Sequence, residues 1–235
     1  MTTFVFLLAV LFRPAVPTKS APTKSAHDVV RAIETRYRGA HTLKAKFFES
    51  YVDGKGGVSA ESGVVYFSKP GRMRWEYESP EEKLFVVDGT NVWFYIPADR
   101  TVTRAKIGES ADWRTPLAFL TGKTDLGRLC RSIELVESQP TGKPENPSSS
   151  GNIALRCAPR VNSGDTGDQI KDVVLEANAD GYLMRILVEQ PGNLTTEFRF
   201  ASWEENLPVA ETKFHFDPPS GVTVVDEATL AGTLR

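Results

Sequence analysis

Between Gly63 and Pro97 eight aromatic side chains, Tyr66, Phe67, Trp75, Tyr77, Phe85, Trp93, Phe94 and Tyr95, fall in short strand-like runs. Lys69-Pro70-Gly71, Ser79-Pro80 and Asp88-Gly89 separate the runs, and turn residues at that spacing point to consecutive strands. Arg72-Met-Arg-Trp-Glu-Tyr77 alternates charged and apolar residues, as a strand with one inward face should. Val92-Trp-Phe-Tyr-Ile96 is apolar throughout, so both of its faces must meet something other than water. Such a segment suits an aromatic-lined sheet with an apolar concavity, the kind of surface that takes a lipid-like ligand.

The same period-two pattern extends outward. Leu43–Phe47, Val58–Ser68, Arg72–Glu78, Leu84–Asp88, Val92–Ile96 and Val102–Ile107 read as strands, followed by 132–137, 152–157, Asp172–Ala177, Leu183–Gln190, Thr195–Trp203 and Thr212–Phe216. Asp88-Gly89 and Asp180-Gly181 are tight hairpin signals. Ten to twelve strands at spacings of about ten residues imply an antiparallel meander rather than βαβ units. Two helices interrupt it. His27–Arg38 places Val29, Val30, Ile33 and Tyr37 on one face, and Thr115–Gly122 carries Leu117, Phe119 and Leu120 behind a Thr-Pro start. The expected architecture is mainly β, a single highly curved sheet with the helical pieces plugging its concave face.

The first 26 residues stand apart. Phe4–Phe12 is an apolar run of nine, far short of the roughly 20 residues that span a bilayer. It fits the core of a secretory signal peptide, although no Lys or Arg precedes it and no Ala-x-Ala site follows; the other reading is an apolar N-terminal strand. A tandem PTKSA repeat at 17–26 reads as a spacer, which leaves 27–235 as one domain. Beyond residue 26 the chain holds 25 Lys+Arg against 30 Asp+Glu, and a body of net charge −5 is poorly suited to binding nucleic acid.

Cys130 and Cys157 are what an exported protein with one disulfide would carry. Folding 132–137 and 152–157 as a hairpin sets residue 130 opposite 157, and a bridge there would stabilise the fold by roughly 3 kcal/mol. Two independent buried thiols are the alternative. Neither cysteine lies in a C-x-x-C or beside a histidine, so metal binding and redox catalysis are not indicated. His27, His41 and His215 are widely separated, and G-x-S-x-G, P-loop, H-E-x-x-H and G-x-G-x-x-G motifs are all missing. The chain offers no catalytic constellation, no metal ligands and no cofactor fingerprint.

An ordered set of segments resembles the LolA family of periplasmic lipoprotein carriers. It runs from the amphipathic first helix through Leu43-Lys-Ala-Lys-Phe47, Gly63–Pro70, Arg74-Trp75, Ser79-Pro80, Val87-Asp-Gly89, Val92–Pro97 and Thr115-Pro116 to Phe214–Val222. The resemblance implies an incomplete β-barrel whose helices form a lid over a hydrophobic cavity. It implies a periplasmic chaperone that receives acylated lipoproteins from an inner-membrane ABC-type complex. An outer-membrane acceptor would take them from it, with no covalent chemistry. Phe47, Phe67, Trp75, Trp93, Tyr95, Leu117 and Leu120 are the expected lipid-cavity residues of such a protein, working as a monomer. Where the family often has Arg before the Pro at position 70, this chain has Lys69, which can donate to a lid carbonyl but lacks a planar guanidinium fork. A periplasmic sensor of acylated ligands with the same fold is the alternative function. An acceptor that is itself a lipoprotein would need a cysteine just after the signal segment, and the first is Cys130.

Overall fold

The computed structural model describes residues 25–107, 120, 125–137, 151–160 and 170–226. The expected signal segment and most of its spacer, the 115–122 helix apart from Leu120, the loop at 138–150 and the Gly164–Asp168 stretch lie outside them. Helix α1 spans Ala26–Gly39. Ser25, from the second PTKSA copy, is its N-cap: Ser25 Oγ accepts from Asp28 N while the Asp28 carboxylate accepts from Ser25 N, each at 3.2 Å. That reciprocal box satisfies two donors that a helix start leaves without partners. Val29, Ile33 and Tyr37 form the buried stripe, as the 3.6-residue period required.

Among the described residues twelve strands follow in one sheet. They are β1 (Thr42–Val52), β2 (Val58–Ser68), β3 (Arg72–Ser79), β4 (Lys83–Val87), β5 (Asn91–Ile96), β6 (Thr101–Lys106), β7 (Cys130–Val136), β8 (Ile153–Pro159), β9 (Asp172–Ala177), β10 (Leu183–Gln190), β11 (Leu194–Glu205) and β12 (Thr223–Asp226). A one-turn helix α2 (Leu126–Leu129) precedes β7. The order across the sheet is β12-β6-β5-β4-β3-β2-β1-β11-β10-β9-β8-β7, so two meanders meet where β1 pairs with β11 and the ends stay open. The curved, incompletely closed sheet is therefore as expected, with one correction. The pairing is not antiparallel throughout, because β12 lies parallel to β6.

Curvature is visible in the ring contacts. β3 and β11 are three strand spacings apart, about 14 Å in a flat sheet. Even so, Trp75 on β3 stands 5.5 Å from Phe198 on β11, ring centre to ring centre. Only a strongly concave face lets side chains from such distant strands touch.

A second correction concerns 212–216, read from sequence as a strand. Glu211–Phe214 is a 3₁₀ turn within a segment, Leu207–Val222, that crosses the outer face of the sheet as a strap. Thr42 Oγ1 holds the Leu207 carbonyl at 2.7 Å and Arg74 Nη1 the Lys213 carbonyl at 3.1 Å. Phe216 packs on Trp93 and Tyr95, each at 5.7 Å. The alternation of Phe214 and Phe216 imitates a strand because both rings turn toward the sheet. The strap explains the all-apolar β5: its outer face is covered by Phe216 and Val222.

The two cysteines are joined, with Cα atoms 5.4 Å apart. The register is not the expected one. Cys130 opposes Pro159 and Cys157 opposes Ile133, with an irregularity between Cys130 and Ser132 that brings the two sulfurs together diagonally. The bridge closes a chain separation of 27 residues, for which the chain-entropy model gives about 3 to 4 kcal/mol. Urea unfolding of a Cys130→Ser/Cys157→Ser protein is expected to lose that amount.

The strap is also pinned electrostatically. Glu76 accepts from Arg74 Nε at 2.7 Å and from Lys213 Nζ at 2.9 Å. Burial alone would raise its pKa, but the hydrogen bonds from Arg74 and Lys213 outweigh burial and hold the carboxyl below its ordinary value. A carboxylate depressed in the folded state stabilises above its unfolded pKa of about 4.3, and the contribution vanishes as pH falls through the lower folded value. Between about pH 5 and pH 3 the urea midpoint of the wild type should therefore fall further than that of Glu76→Gln.

Candidate functional site

The concave face is built from alternate positions of its strands. Trp75 opposes Phe85 and Phe85 opposes Phe94, while Phe47 on β1 opposes Phe200 on β11. In the middle of this face stands Trp75, fully buried, with ring centres of Phe47 at 4.8 Å, Phe198 at 5.5 Å, and Phe67 and Phe200 at 6.1 Å. Gly63, opposite Phe47, is what permits the crowding. A Cβ there would come within 1.9 Å of the Glu76 carbonyl oxygen. Without a side chain at 63, Phe47 reaches Tyr77 edge-on at 4.9 Å.

The cover is thin. Tyr37 of α1 packs edge-on against Trp203 at 5.6 Å and its hydroxyl accepts from the Leu183 backbone N–H at 2.8 Å. Burial pushes the Tyr37 phenol well above its ordinary range, so it stays protonated. The turn at Gly181 (φ +85°) meets α1 so closely that a Cβ there would lie 2.9 Å from the Ala32 carbonyl oxygen. Glu34 Oε1 accepts from Leu126 N at 3.0 Å, tying α1 to α2, and Leu120 and Leu126 are buried in the same core. At the far end of α1, Lys69 Nζ donates to the Arg38 carbonyl. The last carbonyls of a helix have no partner within it and carry the negative end of its dipole, so a cation there is well placed. Burial, reinforced by Arg38, pushes the Lys69 ammonium below its ordinary pKa.

Phe47, Phe67, Trp75 and Leu120 are thus brought together on the concave side. Trp93 and Tyr95 are not. They share a separate cluster with Val86, Val102 and Phe216 beneath the strap, because Trp93 opposes Val86 and the ladder turns Phe94 inward instead. Leu117 lies outside the described residues. Tyr37, Tyr77, Phe85, Phe94, Phe198, Phe200 and Trp203 belong to the concave site as well. The period-two Thr196, Phe198, Phe200 pattern in 195–203 was the available signal for two of them.

Polar features of the two aromatic clusters are few. Trp93 Nε1 donates to Asp88 Oδ2 and Trp203 Nε1 to the Leu183 carbonyl, both at 2.8 Å. Trp75 Nε1 has no hydrogen-bond partner among the described residues, a condition that ordinarily costs about 1–3 kcal/mol. Outside, a shallow groove of about 640 Å³ between sheet and strap is lined by Lys44, Tyr66, Arg74, Glu204 and Lys213. Its cations are already paired with Glu204 and Glu76. Among the described residues no group of three or more His, Cys, Asp or Glu is arranged to hold a metal ion.

A one-layer curved sheet whose aromatic-rich concave face is covered, among the described residues, by α1 and its neighbours defines an open-barrel β protein with an apolar interior. The family model described as outer membrane lipoprotein carrier protein LolA matches residues 38–143. An outer-membrane lipoprotein carrier protein of Xanthomonas campestris pv. campestris is 30% identical over 197 residues, 83% of this chain and 87% of the relative. One from Nitrosospira multiformis is 27% identical over 226 residues, covering 95% and 96%. The crystal structure of an uncharacterized conserved protein from Thermus thermophilus shares the fold, with a TM-score of 0.52 at 12% identity over 86% of this chain and 99% of that one. The chain belongs to the LolA family.

Two substitutions probe the cover. Tyr37→Phe leaves the buried Leu183 N–H without its acceptor, and urea unfolding should register a loss of about 1–3 kcal/mol. Lys69→Met removes only the helix-end donor, worth about 0.3–1 kcal/mol. Amide exchange in the last turn of α1 should accelerate by up to about five-fold, with the sheet unchanged.

Proposed function

We propose that this chain is a periplasmic chaperone that holds the acyl chains of lipoproteins between its concave aromatic face and the α1 cover. It takes them from an inner-membrane ABC-type complex and gives them to an outer-membrane acceptor. One observation carries the reading: among the described residues an apolar concave face, aromatic around Trp75 and aliphatic beyond it, is covered by one 14-residue helix and a few further side chains, rather than by a second sheet. Phe47, Phe67 and Trp75 are all at most 3% exposed, so entry requires the cover to move. The carrier body begins at Ser25, which caps α1, and 1–24 serve as signal and spacer. The disulfide suits the oxidising periplasm.

The energetics favour a carrier. Each acyl CH₂ kept from water contributes roughly 0.8 kcal/mol, so a multiply acylated anchor amounts to tens of kcal/mol against bare water. Non-covalent affinity saturates near 20 kcal/mol. The protein has only to hide the chains in transit, and release follows when a partner buries them better. Nothing in this cycle needs a covalent step, and the chain works as a monomeric binding protein rather than an enzyme.

Native mass spectrometry after incubation with a synthetic diacylated lipopeptide tests the proposal. The wild type should acquire one lipopeptide mass. A Phe47→Glu protein that keeps its far-ultraviolet circular dichroism should lose uptake by more than about ten-fold, since a carboxylate is costly in an apolar site. Trp93→Leu, on the outer face, should load normally. A wild type that stays at its unliganded mass would sink the carrier reading.

A further inference from the structure

Among the described tryptophans Trp75 is the exception. Trp93 and Trp203 keep their indole N–H groups paired at 2.8 Å, whereas Trp75, more deeply buried than either, has no acceptor among the described residues. Its ring neighbours among the described residues are four phenylalanines, and none can accept a conventional hydrogen bond. Buried indoles usually find a partner for the N–H. If packing were the only demand, an aromatic ring without an N–H would serve there without stranding a donor.

We propose that Trp75 is the polar contact of the acyl-binding interior, its indole N–H donating to the carbonyl of a fatty-acyl ester once the cover opens. The inference rests on the carrier reading. Hydrocarbon tails bring no acceptor; the ester that joins a tail to its glyceryl head does. In an apolar, water-poor hollow such a bond is stronger than in water. It would also fix how far the tails enter, because only the carbonyl end can satisfy the donor. The interior then distinguishes an esterified chain from a plain alkyl chain of equal length, which apolar packing alone cannot do.

The test uses the full-length protein with ¹⁵N-labelled tryptophan and two probes, an ester-linked dipalmitoyl-glyceryl-cysteine lipopeptide and its dialkyl ether analogue, which lacks the carbonyls. The ester form should bind about three- to ten-fold tighter to the wild type and equally with the ether form to Trp75→Phe. The Trp75 indole proton should move downfield with the ester probe only, while Trp93 and Trp203, already paired, stay in place. Should Trp75→Phe fail to fold, the wild-type spectra decide alone. A dipalmitoyl phospholipid as third probe separates the sources. The same Trp75 shift would extend the contact to any diacylglyceryl ester, and no shift would confine it to the lipoprotein anchor; either supports an ester contact if the lipopeptide pattern holds. Equal affinities of ester and ether forms for the wild type, or the same indole shift with both, would overturn the assignment of Trp75 while leaving the carrier reading intact. If neither lipopeptide binds, the carrier reading falls and this inference with it.

Discussion

Edge-on packing of Trp75 against the phenylalanines of β1, β2 and β11 is the contact on which the remaining architecture depends. Twelve strands laid flat would extend about 55 Å, while a helix of 14 residues is only about 21 Å long. The helix cannot cover such a face. The sheet therefore curls until its own aromatics cover one another, and α1 has only the remaining opening to close. The concavity follows from that mismatch.

The two faces of the sheet solve the same problem differently. On the outer side the strap is fixed by backbone contacts, by the Arg74–Glu76–Lys213 ion pairs and by β12 joining the ladder. On the inner side α1 is held by separate local ties, among them the Tyr37 hydroxyl, the Glu34 carboxylate and the Lys69 ammonium. Each of these can be released without breaking a strand pairing. The outer cover is thus built into the ladder, whereas the inner one rests on side-chain ties.

Much of the fold was legible because period-two alternation and turn residues are local signals. Arg72–Tyr77 displays its inward face openly, and Trp75 lies on that face. Trp93 and Tyr95 were misplaced because Val92–Ile96 is apolar at every position, and a strand without alternation carries no information about its faces; the register with β4 decides. The strap was read as a strand because Phe214 and Phe216 alternate with polar residues, although both turn toward the sheet from outside. The diagonal disulfide was missed for a similar reason: an irregular ladder at residue 131 displaces the pairing by an amount that spacing alone does not encode.

The seam between β1 and β11 joins residues 42–52 to residues 194–205. Phe47 and Trp75 therefore have no Phe198 or Phe200 to lean on until the last fifth of the chain is available. Topology of this kind, rich in distant pairings, folds slowly. A nascent N-terminal half can form hairpins but cannot close its hollow. Closure of the concave face is therefore a late event, because β11 is among the last strands to leave the ribosome.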